Sequence, residues 1–202
     1  MPENTGTAFS SVFLDKNPPI DAHIDEMLQW SKKIGFLITA SGISSNLSFR
    51  TKMGFIITGS ISTLENVTKD SVVEVRGVVF GLNRPSVYSK GQIAPAEEAL
   101  LHSVIYEAFP EINAIFFLTS TKLIAAAAKA GISSTNTASP AGSRETAQQI
   151  VNLIKINNNA GFLVINDRAV IVLGKTMSDA GQLLQEINGK MESVVKPGSR
   201  KK

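Results

Sequence analysis

The 202-residue chain contains no cysteine. It therefore has no disulfide, no thiolate metal site and no cysteine nucleophile, a usage that suits a reducing compartment. Aromatic residues are scarce at 6%, and Lys and Arg are scattered apart from a terminal group of Lys196, Arg200, Lys201 and Lys202. The basic stripe with interleaved aromatics that marks nucleic-acid binding is missing, so no nucleic-acid partner is expected. No apolar run reaches membrane-spanning length, and the opening MPENTGTAFSSVF has neither the basic region nor the long apolar run of a signal peptide. The expectations are a cytoplasmic location and no membrane contact. What remains is an ordinary globular composition, 43% hydrophobic, with a net charge of +3 that comes partly from the tail. This length fits one core. The organisation read from it is an arm over 1–19, closed by Pro18 and Pro19, a single domain over 20–195, and a basic flexible tail over 196–202.

Periodicity divides the domain. Ile20, Ile24, Met27, Leu28 and Ile34 recur at helical spacing, which predicts a first helix from Ile20 to about Ile34. His23 lies in it without an acidic or histidine partner at ligand spacing, and it is read as a solvated or capping residue. ASGISSNLSFR, 40–50, is a Gly/Ser turn leading into a strand at Leu47 and Phe49, and GFIIT, 54–58, is a second strand. SVVEVRGVVFGL, 71–82, reads as a strand or a bulged hairpin at Gly77, and RPSVYSKGQIA, 84–94, as a loop. TKLIAAAAKAG, 121–131, is an Ala-rich helix closed by Gly131, and Ser143 is the expected N-cap of a helix over 142–156. AGFLVINDRAVIVLG, 160–174, reads as a hairpin about Asp167 and Arg168, followed by an amphipathic closing helix.

The most informative stretch is PAEEALLHSVIYEAFPEINAIFFLTS. It is a helix placing Glu98 and His102 on one face, stopped by Pro110, then a short apolar strand. A Glu and a His four apart on a helix are ordinarily just neighbours, and no metal is assigned to them. The pattern as a whole resembles the central motif of the class II aldolase/adducin family. In metal-dependent members of that family the strand ends in His-x-His, where this chain has Phe117 and Thr119. Counting back from Gly174 and Ala180 puts the third histidine position at Arg168, with Asp167 as the neighbouring register. The two Gly-rich turns resemble the family's phosphate loops: Asn46, Ser48, Arg50, Ile57, Thr58 and Ser60 match, while Ser45, Gly59 and Ile61 replace Gly, Pro and Gly.

The resemblance covers about residues 20 to 190. It implies a three-layer α/β/α sandwich with a central mostly antiparallel sheet, and tetramers of fourfold symmetry with the active site between subunits. In active members, zinc on three imidazoles polarises a carbonyl, with a carboxylate as ligand or base. Of that set only Glu98 remains here, so no cofactor is expected. The first functional reading is a non-catalytic member, an oligomeric assembly or ligand-binding module. The alternative is a metal-free or displaced-site carbon–carbon lyase or epimerase acting on a sugar phosphate. In that case Glu98 is the candidate base, with Asn46, Thr58 and Ser60 on the phosphate. A buried Glu98 needs a partner, and the motif count nominates Arg168, with Phe117 and Thr119 lining a Glu98–Arg168 pair. Self-association is expected through the helix 121–130 and the hairpin 160–173, which carry more apolar surface than a small domain conveniently buries.

Overall fold

A computed structural model describes residues 9–38, 45–60, 63–81, 84–129, 131–132, 134–135, 143–157, 161–165 and 168–195. Eight strands form one sheet: β1 (Ser10–Asp15), β2 (Asn46–Thr51), β3 (Gly54–Thr58), β4 (Val72–Val79), β5 (Ser86–Lys90), β6 (Ala114–Leu118), β7 (Phe162–Ile165) and β8 (Ala169–Gly174). Their order is β1-β5-β4-β3-β2-β6-β8-β7, and every pairing is antiparallel except β1 with β5. The helices are α1 (Ile24–Ile38), α2 (Ala99–Ala108), α3 (Thr121–Lys129), α4 (Arg144–Ile156) and α5 (Met177–Val195).

Alternation along the strands makes two cores, one per face. Phe55, Ile57, Ile115, Phe117 and Ile171 point to the face covered by α2 and α4, which contribute Leu101, Ile105, Ile150 and Ile154. Leu47, Phe49, Phe116, Val170 and Val172 point the other way, against Met27, Ile34, Leu123, Ala180 and Leu184 of α1, α3 and α5. This is the expected three-layer sandwich with a mostly antiparallel sheet.

Several boundaries follow the expected chemistry. Of the two readings at Gly77, β4 takes the continuous strand, and its register against β5 shifts between Val75 and Gly77. The Ser143 hydroxyl accepts the Thr146 N–H at 3.2 Å and caps α4. Gly131, at φ 67°, ends α3, and the Ile132 N–H reaches back to the Ala127 carbonyl.

Four expectations are corrected. The N-terminal arm, expected from its polar, proline-closed sequence to have little regular structure of its own, contributes Ser10–Asp15 as a strand paired in parallel with β5. The segment 84–94 is not a loop throughout, since Ser86–Lys90 is the strand β5 that joins β1 to β4. The first helix starts four residues late: the Asp21 carboxylate accepts the His23 N–H at 2.8 Å, holding a turn that leaves Ile20 exposed. Finally, the hairpin strands of 160–173 do not offer a free apolar surface, because Phe162–Ile165 and Ala169–Val172 are buried within the domain.

α1 and α5 meet through a hole in α5. A Cβ at Gly181 would stand 2.3 to 2.6 Å from the ring of Trp30. Trp30 is the only tryptophan. Gly181→Ala should therefore displace the ring, shift the emission maximum of its fluorescence, and destabilise the fold by ~1–3 kcal/mol in urea titration.

Candidate functional site

The stretch singled out in the sequence forms a buried polar ladder between α2 and β2. Residues 98, 102 and 106 repeat every ~6 Å along a helix, and residues 46, 48 and 50 every ~6.6 Å along one face of a strand. The two spacings match closely enough for three successive contacts. At the first rung the Asn46 side-chain amide donates to the Glu98 carboxylate at 2.8 Å. At the second, the Ser48 hydroxyl lies 2.7 Å from Nδ1 of His102 and 2.8 Å from the Tyr106 hydroxyl. At the third, Arg50 lies over the Tyr106 ring at 4.7 Å and donates to the carbonyls of Tyr106, Phe109 and Ile112 at 2.8–3.1 Å.

The charges of the ladder follow the helix. Glu98 stands at the N-terminus of α2, where four N–H groups and the positive end of the dipole favour an acid. Arg50 reaches the other end, where carbonyls lack helical partners. One strand thus meets both ends of one helix with the favourable chemistry at each. Phe55 packs beside the middle rungs, 5.3 Å from the Tyr106 ring and 6.5 Å from the His102 ring, centroid to centroid.

Enclosure sets the protonation states. Burial pushes the His102 imidazole down to about 3, so it is neutral near pH 7. Burial also raises the Tyr106 phenol well above its usual value, against the smaller opposing effects of Ser48 and Arg50. Nε2 of His102 and Oδ1 of Asn46 are buried and have no hydrogen-bond partner. His23, by contrast, is exposed, with its ring 2.9 Å from the Asp21 carboxylate.

The register of β6 against β2 sets Phe117 directly opposite Asn46, with its ring fully inside the core. Thr119, one residue beyond the strand, is half-buried; its N–H donates to the Ser45 hydroxyl at 3.0 Å and its hydroxyl lies 3.2 Å from the same oxygen. Thr58 is buried, and its hydroxyl accepts the Leu47 N–H at 3.3 Å. Ser60 is exposed, so of the three candidate phosphate residues it alone faces solvent. Ile61 and Asp167 lie outside the described residues.

The expected Glu98–Arg168 pair is corrected by this geometry. Arg168 follows β7 at the hairpin turn, with its N–H on the Ile165 carbonyl, and its side chain is exposed. Glu98 is buried on the α2 face, bonded to Asn46, and no ion pair among the described residues joins it to Arg168. Ladder contacts with Ser48, Tyr106 and Arg50 were not foreseen, although the alternation Asn46-x-Ser48-x-Arg50 was legible beside Glu98, His102 and Tyr106.

Zinc does not fit these residues. Phe117 offers no donor atom, the Arg168 guanidinium stays protonated and faces water, and His102 turns its Nδ1 to Ser48. Among the described residues, no three His, Asp or Glu side chains converge as a metal-binding group. A cleft of about 380 Å³ lies at the opposite end of the sheet, lined by Ile112, Ile154, Leu173, Lys175 and Asp179 among others, and includes none of the candidate residues.

Two outcomes test the ladder. Glu98→Gln keeps an acceptor for Asn46 and should leave the urea midpoint nearly unchanged. Glu98→Leu strands the amide and should cost ~1–3 kcal/mol, most of it recovered in the double change with Asn46→Leu. The His102 prediction concerns pH. Its folded value lies near 3 against 6.5 in the open chain, so the unfolded state takes up the proton first. Its contribution is intact above the unfolded value and is lost as pH falls from about 6.5 towards 3, at up to ~1.4 kcal/mol per unit. His102→Gln should remove that slope in denaturation curves measured at pH 7 and pH 4.5.

With this geometry in hand, the comparisons are informative. The sequence matches the family described as Class II Aldolase and Adducin N-terminal domain over residues 25–193. No curated protein sequence shows significant similarity to the chain. The fold is similar to that of YgbL from Escherichia coli, with 19% identity, a TM-score of 0.66, and coverage of 88% of this chain and 90% of that one. L-fuculose-1-phosphate aldolase from Thermus thermophilus is 14% identical with a TM-score of 0.65, covering 85% and 92%. A sugar-phosphate aldolase from Thermotoga maritima is 15% identical with the same score, covering 88% and 99%. At these identities the likeness is one of fold. The match over 25–193 carries the further step: the chain belongs to the class II aldolase and adducin N-terminal domain family.

Proposed function

We propose that the chain is a non-catalytic member of this family, a self-associating assembly or ligand-binding module that uses no metal. One observation carries the reading: Glu98, the single acid retained from the resembling zinc site, is bound to Asn46 inside the core, with Phe117 opposite. Aldol cleavage and epimerisation next to a carbonyl need an electrophile that takes the negative charge developing on oxygen. Among the described residues, the geometry places the Asn46 amide beside Glu98 with the Phe117 ring opposite Asn46, and the neutral His102 imidazole one turn along α2. Of the guanidiniums on this face, Arg50 is committed to carbonyls at the far end of α2 and Arg144 lies over the Phe80 ring. The arrangement supports a structural helix anchor more than a proton-transfer site.

A second reading keeps catalysis: a sugar-phosphate lyase or epimerase without a metal, with Glu98 as base and Ser60 at the mouth of a phosphate site. The retention of Glu98 favours it, because proton abstraction next to a carbonyl needs a carboxylate or similar base. The names of the Thermus and Thermotoga neighbours point to the substrate class.

Elemental analysis of the purified protein after zinc loading and dialysis, with an aldol-cleavage assay on ketose 1-phosphates, separates the readings. The expected result is substoichiometric zinc and no cleavage above background. Cleavage that disappears in Glu98→Gln while the fold is kept would overturn the non-catalytic reading.

A further inference from the structure

The cleft of about 380 Å³ at the far end of the sheet lies at the small end of the ~300–1,000 Å³ range of small-molecule sites. Its floor is aliphatic and comes from both helical layers. Ile112, Ile154 and Leu173 belong to the core under α2 and α4, and Leu183 packs from α5 against the other core. Gly161 and Gly174 supply walls without side chains, and the packing requires them. A Cβ at Gly174 would stand 2.5 Å from the Thr176 carbonyl oxygen and 2.6 Å from the Ala180 nitrogen, and one at Gly161 would stand 2.8 Å from Cδ2 of Leu183. The carbonyls of both glycines are already engaged, Gly161 by the Leu173 N–H at 2.8 Å and Gly174 by the Asn113 N–H at 2.9 Å. Polar recognition therefore falls to the side chains at the mouth.

Those side chains are Glu111, Lys175 and Asp179, all exposed. The Asn113 amide donates to the Lys175 carbonyl at 3.1 Å, which holds the loop carrying Glu111 against the start of α5, where Asp179 stands. Among the described residues, no ion pair or side-chain hydrogen bond occupies any of the three. Two carboxylates against one ammonium oppose a phosphate or another simple anion. No aromatic ring lines the cleft, so a sugar or a nucleobase has nothing to stack on. A simple cation would answer the carboxylates but stand against Lys175. A ligand carrying an ammonium and a carboxylate on a short aliphatic body answers every charge at the mouth and buries its body on the floor.

We propose that this cleft binds a free aliphatic α-amino acid of about leucine's size, with its ammonium between Glu111 and Asp179, its carboxylate on Lys175, and its side chain on the aliphatic floor. The site includes no side chain of the ladder, so the proposal goes beyond the non-catalytic reading and does not rest on it.

Titration calorimetry with L-leucine tests it, and the urea midpoint at saturating leucine is a second readout should the heat be small. Leucine should bind once per chain and raise the midpoint. 4-Methylpentanoate lacks the ammonium and 3-methylbutylamine lacks the carboxylate, and each should bind at least about tenfold more weakly. Lys175→Glu and Asp179→Lys change exposed side chains and should keep the fold by circular dichroism, while each weakens leucine binding by about tenfold. Glu98→Gln should bind leucine as the wild type does. The proposal is overturned if neither readout responds to leucine at millimolar concentration, if the amine or the acid binds as tightly as leucine, or if neither charge reversal weakens binding. Loss of leucine binding in Glu98→Gln would place the ligand at the ladder and overturn it as well. The zinc and aldol-cleavage results are separate from all of these outcomes, so this proposal and the non-catalytic reading can each fail alone.

Discussion

The contact between β2 and α2 organises the domain. A helix repeat of four residues and a strand repeat of two have nearly equal lengths, so Asn46, Ser48 and Arg50 can each meet one turn of α2. The contacts are polar and enclosed, which makes them demanding. A displacement of α2 by one turn would leave a carboxylate, a hydroxyl and a guanidinium buried against the wrong partners, at several kcal/mol. Apolar packing by Leu101 and Ile105 presses the helix onto the sheet but tolerates sliding. The ladder sets where along the strand the helix stops.

This constraint also fixes the surroundings of the residues best suited to chemistry. Glu98 sits at the positive end of α2 and spends its carboxylate on Asn46. His102 is neutral, because the enclosure that shapes its bond to Ser48 also desolvates it. Phe117 faces Asn46 because β6 pairs with β2 in a register that puts the two opposite. Each is held inside the interior, and the hydroxyls of Thr119 and Ser45 close on each other at its edge. The family fold is kept while the electrophile its active members require has no counterpart among these side chains.

The two ends of the sheet differ in the same economy of burial. From β2 to β7, helices cover both faces, and β6, β7 and β8 read as nearly continuous apolar runs. At β1 and β4, Val12 and Val79 are exposed, and Glu74 with Arg76 and Asp15 with Lys90 form ion pairs.

Much of the fold was legible locally. Helical and strand periods located most elements from α1 to α5, Gly77 marked its bulge, Ser143 its cap, and the spacing of Glu98 and His102 placed both on one helix face. These are properties of neighbouring residues, governed by backbone geometry and capping, and they survive without tertiary context. Strand β5 was missed because Gly, Pro and Ser around it mimic a loop, and β1 because its short apolar run follows a polar stretch. Partnership was the part the sequence could not carry. Arg168 was nominated for Glu98 by counting along a motif, yet the hairpin turn sends it to solvent, and Asn46, 52 residues from Glu98 in sequence, takes the carboxylate. Which groups share a buried site depends on the order and register of strands assembled from distant segments. By itself the chain determined the fold family and the residue types of the site; tertiary structure alone decided which of them meet, because only the closed sheet brings β2, β6 and α2 together.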